Sequence, residues 1–107
     1  PDRNRFLLDS GATALSKDPG IETAAGGFGF GTVHPLGDPA RPEIGLLTSL
    51  SQEHGLGEPC AGIPLPRIGE KVLVLPNHSC LAAGLFERYC AVRNLEVQET
   101  WRPCRGW

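Results

Sequence analysis

Glycine and proline punctuate this sequence more heavily than any other feature, and they decide which folds are open to it. The 107 residues contain 14 glycines and 10 prolines, and the longest stretch free of both, 85–102, is 18 residues. In a helix interior a glycine costs about 1 kcal/mol relative to alanine and a proline about 3 kcal/mol. Helical bundles, coiled coils and membrane-spanning helices are therefore excluded, and short strands joined by turns are expected. The length suits one compact domain, residues 1–107, and is too small for two. With 40% hydrophobic and 21% charged residues, the chain should build a core, though a modest one.

Charge narrows the function. Ten basic and twelve acidic residues give a formal net charge of −2, with the two signs interleaved. Arg88, Arg93, Arg102 and Arg105 are offset locally by Glu87, Glu96 and Glu99. No basic face of the kind that holds nucleic acid results. Residues 1–20 lack the apolar segment and small-residue cleavage site of a secretory signal. A cytoplasmic location without membrane attachment is expected. Cys60, Cys80, Cys90 and Cys104 contain no CxxC pair, so reduced thiols are expected ahead of two disulfides. The absence of any methionine fits either loss of an initiator before Pro1 or a fragment of a longer chain.

Local pattern then divides the chain. Residues 5–9 (RFLLD) read as a strand, and 13–16 (TALS) as a second one before an Asp18-Pro19-Gly20 turn. In 26–34 (GGFGFGTVH) Phe28 and Phe30 share one face at period two, and the intervening glycines mark a bend or a close backbone approach. The run is not GxGxxG and no helix pattern follows, so no phosphate loop is expected. Residues 35–43 are a proline-rich loop, 44–50 an alternating strand and 57–69 a second loop. Residues 71–75 (KVLVL) form a continuous apolar strand expected to be buried on both faces, and 81–87 suit one or two helical turns. Residues 88–92 and 95–101 suit a hairpin about Arg93 and Asn94, with Leu95, Val97 and Trp101 on one face. Six or seven short strands, few helices and no internal repeat indicate a mainly β domain, a small barrel or sandwich. Trp101 and the segment 89–92 are expected in its core, and Cys60, Cys90 and Cys104 as structural thiols.

The HExxH, GxSxG, P-loop and Cys₄ zinc patterns are absent. One cluster stands out, Pro76-Asn77-His78-Ser79-Cys80, directly after the apolar run. In extended chain His78 and Cys80 leave on the same side. Imidazole and thiolate are both good zinc ligands, and two protein donors leave coordination positions for water and substrate. From spacing alone the plainer reading comes first, a half-buried histidine beside an inert thiol. Glu53 and His54 carry two readings: partners of such a site at the mouth of the barrel, or a solvated turn with Gly55 at positive φ. Asp9 is either a turn cap through Ser10 and Gly11 or a partly buried anchor facing the site. His34, before a proline, reads as an ordinary loop histidine.

Taken in order, LLDSGATALSKDPG (7–20), SQEHG (51–55), PNHSC (76–80) and the closing W-x-x-x-R-G (101–106) carry a resemblance. The chain resembles the C-terminal domain of the D-serine dehydratase/D-threonine aldolase family, alanine-racemase-like pyridoxal phosphate enzymes of fold type III. The resemblance runs the length of the chain, and PNHSC with the upstream EHG is its specific part. It implies a preceding (β/α)₈ barrel that holds pyridoxal phosphate and the Schiff-base lysine, so that these residues are the C-terminal part of a larger protein. It also implies a homodimer, with the barrel of the same or a neighbouring subunit as partner. His78 and Cys80 become ligands of a divalent metal, with Asn77, Glu53, His54 and Asp9 around the mouth of the site. The HxC form is similar to the zinc-dependent dehydratases, whereas the aldolase branch typically carries HxD. A thiolate favours zinc over manganese or magnesium.

The reaction implied is β-elimination of water from D-serine to pyruvate and ammonia, with the metal polarising the β-hydroxyl. D-threonine aldolase and hydroxyaspartate dehydratase activities of the same family are alternatives, as is a β-barrel that only supports assembly. Two departures from the family pattern bear on this. Neither Lys17 nor Lys71 stands in the context of the cofactor lysine, so these residues alone are expected to bind metal weakly and catalyse nothing. Ala82 stands where the family often carries a hydroxyl residue, which leaves the substrate open. Phe28, Phe30 and Trp107 are expected at the barrel interface.

Overall fold

Apolar residues that alternate with small ones turn the first two thirds of the chain into one sheet. The computed structural model describes residues 4–19, 29–37 and 41–104. Phe28, Trp107, Gly20 and the end of the 101–106 motif lie outside the described residues. The elements are β1 (Phe6–Leu8), α1 (Ala12–Leu15), β2 (Gly31–Pro35), β3 (Gly45–Leu50), β4 (Gly55–Pro59), β5 (Val72–Pro76), α2 (Ser79–Gly84), β6 (Tyr89–Arg93) and β7 (Glu96–Trp101). Strands β1-β4-β3-β2-β5, in that spatial order, form a five-stranded sheet with every pairing antiparallel. The sheet curls into a half-barrel, and the mainly β fold expected from the sequence is the one found. Strands β6 and β7 form a separate hairpin. No described helix is long and apolar enough to cross a membrane.

The core lies on the inner face of the curl. Phe6, Leu15, Val33, Ile44, Leu47 and Leu50 form it, with Leu8, Ala12, Ala14, Phe30, Val72 and Val74 packed against them. Val33 and Leu47 are wholly buried. β3 and β4 are joined through a register shift between Leu47 and Ser49, a bulge that sharpens the curl.

Several local expectations are corrected. Residues 13–16 are a helical turn rather than a strand. The Gly11 carbonyl accepts from the N–H groups of both Ala14 and Leu15, and Ser16, at φ 69°, ends the turn. The free N–H groups at its start are satisfied from another part of the chain: Ala12 donates to Ser51 O at 2.8 Å and Thr13 to Gln52 O at 3.0 Å. The loop expected over 57–69 begins too early, because Gly55–Pro59 is strand β4, which lies inside the sheet between β1 and β3. Its glycines admit neighbours: a Cβ on Gly57 would sit 2.2 Å from the Phe6 ring carbons, so the ring packs where a side chain would stand. His34 lies in β2, where its Nε2 pairs with Thr32 Oγ1 at 2.9 Å, and not in a loop. β5 is an edge strand that pairs only with β2, and Leu73 and Leu75 on its outer face are exposed rather than buried.

The hairpin is present one residue later than expected. Its turn residues are Asn94 and Leu95, both with positive φ (51° and 65°), between the paired Arg93 and Glu96. Trp101 is not a core residue: it is exposed, and its Nε1 donates to Glu99 Oε2 at 2.8 Å. Segment 89–92 is likewise outside the core, with Cys90 and Val92 exposed. All four cysteines are free thiols; Cys90 and Cys104 are exposed, whereas Cys60 is partly buried.

Candidate metal centre

Antiparallel pairing decides where the motifs go. The cross-strand partners Leu8↔Gly55, Leu50↔Gly55 and Gly31↔Pro76 bring the ends of β1, β3 and β5 and the starts of β2 and β4 to one end of the sheet. The residues that follow or precede those strand ends are the motifs themselves. Ser10 to Asp18 follow β1, 51–54 join β3 to β4, and Asn77 to Cys80 follow β5.

Residues 51–54 form a tight turn in which Ser51 N–H donates to His54 O at 2.9 Å and His54 N–H to Ser51 Oγ at 3.2 Å. Glu53 and His54 are both exposed. Gly55 has no positive φ; it begins β4, where a Cβ would lie 2.8 Å from Ser10 O. Thr13 Oγ1 donates to Gln52 O at 2.9 Å, and Glu53 Oε2 lies 3.4 Å from the same hydroxyl. The 51–54 turn is solvated, and it stands at the same end of the sheet as His78. Asp9 is exposed just after β1.

Asn77 and His78 reach across to the segment after α1. Asn77 Nδ2 donates to Pro19 O at 3.1 Å and also to Gly29 O. His78 Nδ1 pairs with Asp18 Oδ2, the two side chains being 41% and 39% exposed. An ionised carboxylate only accepts hydrogen bonds, so Nδ1 is the donor of this pair, and in the neutral imidazole the lone pair then lies on Nε2. No hydrogen bond to Nε2 is present among the described residues. Asp18 is the residue the sequence reading missed. SKDPG reads as a plain turn in the sequence.

His78 is the N-cap of α2, and Cys80 lies exposed in the first helical turn. Among the described residues no three His, Cys, Asp or Glu side chains converge as a ready metal cage. The donor chemistry nonetheless fits a two-donor site. It offers an imidazole with one nitrogen already engaged by a carboxylate and, two residues on, a thiol open to solvent. Ala82, one turn after His78, is buried. A cleft of about 670 Å³ at the opposite end of the sheet is lined by Pro35, Arg41, Ile44 and the 63–70 loop. It holds no histidine or cysteine. At that end, burial and the nearby Glu43 carboxylate push the Cys60 thiol above its ordinary pKa.

This antiparallel half-barrel is similar in fold to part of alanine-racemase-like proteins. An alanine-racemase-like protein from Idiomarina loihiensis has this fold, with a TM-score of 0.69 and 29% identity over 96% of the chain and 28% of its own length. More narrowly, residues 1–92 match the family described as "Putative serine dehydratase domain", and the chain belongs to that family. D-threo-3-hydroxyaspartate dehydratase from Delftia sp. (strain HT23) is 30% identical over 112 residues, covering 99% of the chain and 29% of the enzyme. Its solved structure matches with a TM-score of 0.72. D-serine dehydratase from Dictyostelium discoideum is 29% identical over 111 residues, covering all of the chain and 28% of that enzyme. The chain thus spans less than a third of the length of these relatives. Variants of a D-threo-3-hydroxyaspartate dehydratase have also been solved: one with a cysteine replaced by alanine, in the metal-free form, and one with a histidine replaced two positions earlier.

Proposed function

We propose that this chain is the metal-binding part of a pyridoxal phosphate- and zinc-dependent dehydratase acting on a small β-hydroxy D-amino acid, with D-serine as the preferred substrate. The observation that carries the reading is the His78–Cys80 pair at the motif-bearing end of the sheet, with Nδ1 of His78 engaged and Nε2 left for a metal. The histidine-then-cysteine spacing of the replaced positions in the D-threo-3-hydroxyaspartate dehydratase variants supports it. His78 Nε2 and Cys80 Sγ would hold the zinc. When bound, the cofactor supplies an electron sink that acidifies Cα, and the metal a Lewis acid that makes the β-hydroxyl a better leaving group.

The residues of this chain do the holding. The end of β5 fixes the backbone of His78, α2 carries Cys80, and α1, which is bonded to the 51–54 turn, contacts α2. The lysine and phosphate site belong to a (β/α)₈ barrel of the same or a neighbouring subunit, in a cytoplasmic homodimer. Exposed apolar side chains on β5, on α2 and at its C-cap (Leu73, Leu75, Leu81 and Leu85) suit burial against that barrel. A second reading, 3-hydroxyaspartate as substrate, is favoured by the likeness to the Delftia enzyme.

The test uses the full-length protein with His78→Ala and Cys80→Ala. Each is expected to lose bound zinc and D-serine elimination together; survival of both properties would overturn the proposal. Pyruvate as the main product favours D-serine, and oxaloacetate from 3-hydroxyaspartate the second reading.

A further inference from the structure

We infer that Asp18 is a positioning residue for the metal site: its carboxylate sets the tautomer and ring orientation of His78, and Asn77 holds Asp18 in place to do so. The inference rests on the metal reading of His78 and Cys80 and goes a step beyond it, to a residue 60 positions away in sequence.

The geometry is a double clasp between two neighbouring pairs. Asn77 and His78 are adjacent, and so are Asp18 and Pro19. His78 Nδ1 donates to the Asp18 carboxylate, while Asn77 Nδ2 donates to the Pro19 carbonyl at 3.1 Å. A second bond from Asn77 Nδ2 to Gly29 O ties the clasp to the approach of β2. Asp18 is further restrained from its own side. Its backbone N–H donates to Ser16 Oγ at 3.1 Å, and Ser16 is buried at φ 69°. Pro19 fixes the next φ. The carboxylate therefore stands in a prepared position instead of sampling solvent as a turn aspartate does.

The tie matters for the imidazole more than for stability. Both side chains are more than a third exposed, and an ion pair at that exposure adds little to stability. What the bond does change is the imidazole. With Nδ1 protonated and facing Asp18, Nε2 is the one nitrogen with a free lone pair, and its direction is fixed. A carboxylate behind a ligating histidine also raises the basicity of the ligand, and losing such a partner typically weakens metal binding by about 10–100-fold. Neighbouring carboxylates do not take the role: Glu53 turns toward Thr13, and Asp9 is exposed after β1.

The experiment compares zinc affinity, by competition with a chromophoric chelator, in full-length wild type, Asp18→Ala, Asp18→Asn, His78→Ala and Cys80→Ala. Side-chain ¹⁵N spectra of His78 in the metal-free proteins are read alongside. Asp18→Ala is expected to bind zinc about 10–100-fold more weakly, with a thermal midpoint close to wild type. Its His78 signal should shift from the Nδ1-protonated toward the Nε2-protonated form. Asp18→Asn, which keeps the shape and one acceptor oxygen, should fall between the two and serves if Asp18→Ala does not fold. Wild-type zinc affinity and an unchanged tautomer in both variants, while His78→Ala and Cys80→Ala lose the metal, would overturn this inference and leave the metal reading standing. Zinc retained by His78→Ala and Cys80→Ala would overturn both.

Discussion

The five-stranded sheet and the β6–β7 hairpin are built from similar apolar patterns and end in opposite environments. In the sheet, Val33 and Leu47 lose all contact with water. In the hairpin, Val92, Val97 and Trp101 remain 56%, 58% and 54% exposed. Among the described residues the hairpin meets the rest at its base, where Tyr89 Oη donates to Ala83 O at 2.8 Å, and at its tip, where Leu95 lies against Gly37. The difference teaches that alternation specifies a face but not what covers it. In the sheet the cover is local, since α1 and the curl of β3 and β4 fold over the inner face. The hairpin has no such neighbour among the described residues.

Stability measurements should sharpen that contrast. The largest effect is expected from Leu47→Ala, which opens a cavity in the sheet core and should cost about 2–5 kcal/mol in urea unfolding. Val97→Ala in the hairpin should change the same measurement by less than about 0.5 kcal/mol. Comparable losses at the two sites would break the comparison. A smaller effect is expected from Gly57→Ala, whose new Cβ would lie 2.2 Å from the Phe6 ring. Displacing that ring should destabilise the sheet by about 1–3 kcal/mol.

The smallest effect concerns the thiols. Cys60 is partly buried near Glu43, which raises its pKa, whereas Cys90 and Cys104 are exposed. A raised pKa means less thiolate at a given pH, so Cys60 should react with a disulfide reagent more slowly than Cys90 or Cys104 at pH 8. By linkage, the folded state keeps the Cys60 proton to higher pH than the unfolded state. Its contribution to stability is therefore full below the ordinary thiol pKa and is lost as pH rises through the folded value.

Much of the candidate site was legible because its signal is local. A β-branched and leucine run stopped by a proline placed His78 and Cys80 at the end of a strand, and they are found there. The hairpin was legible too, although Asn94 and Leu95 rather than Arg93 and Asn94 take the positive φ values. What escaped was set by distant partners. The turn at 12–15 owes its start to carbonyls of Ser51 and Gln52, which no propensity for Thr, Ala or Leu records. β4 looked like loop because Gly55 and Gly57 break strands in isolation, and the Phe6 ring that fills the space belongs to another strand. Asp18 meets His78 across 60 residues. The burial of residues 71–75 was overread because an apolar strand is the same string whether one face or two are covered.

The central claim is that His78 and Cys80 together hold a divalent metal, and its most direct test is the absorption spectrum of the cobalt(II)-substituted full-length protein. Ligation by Cys80 predicts a thiolate-to-cobalt charge-transfer band that disappears in Cys80→Ser. A spectrum with no such band in the wild type, or one that Cys80→Ser leaves unchanged, would contradict it.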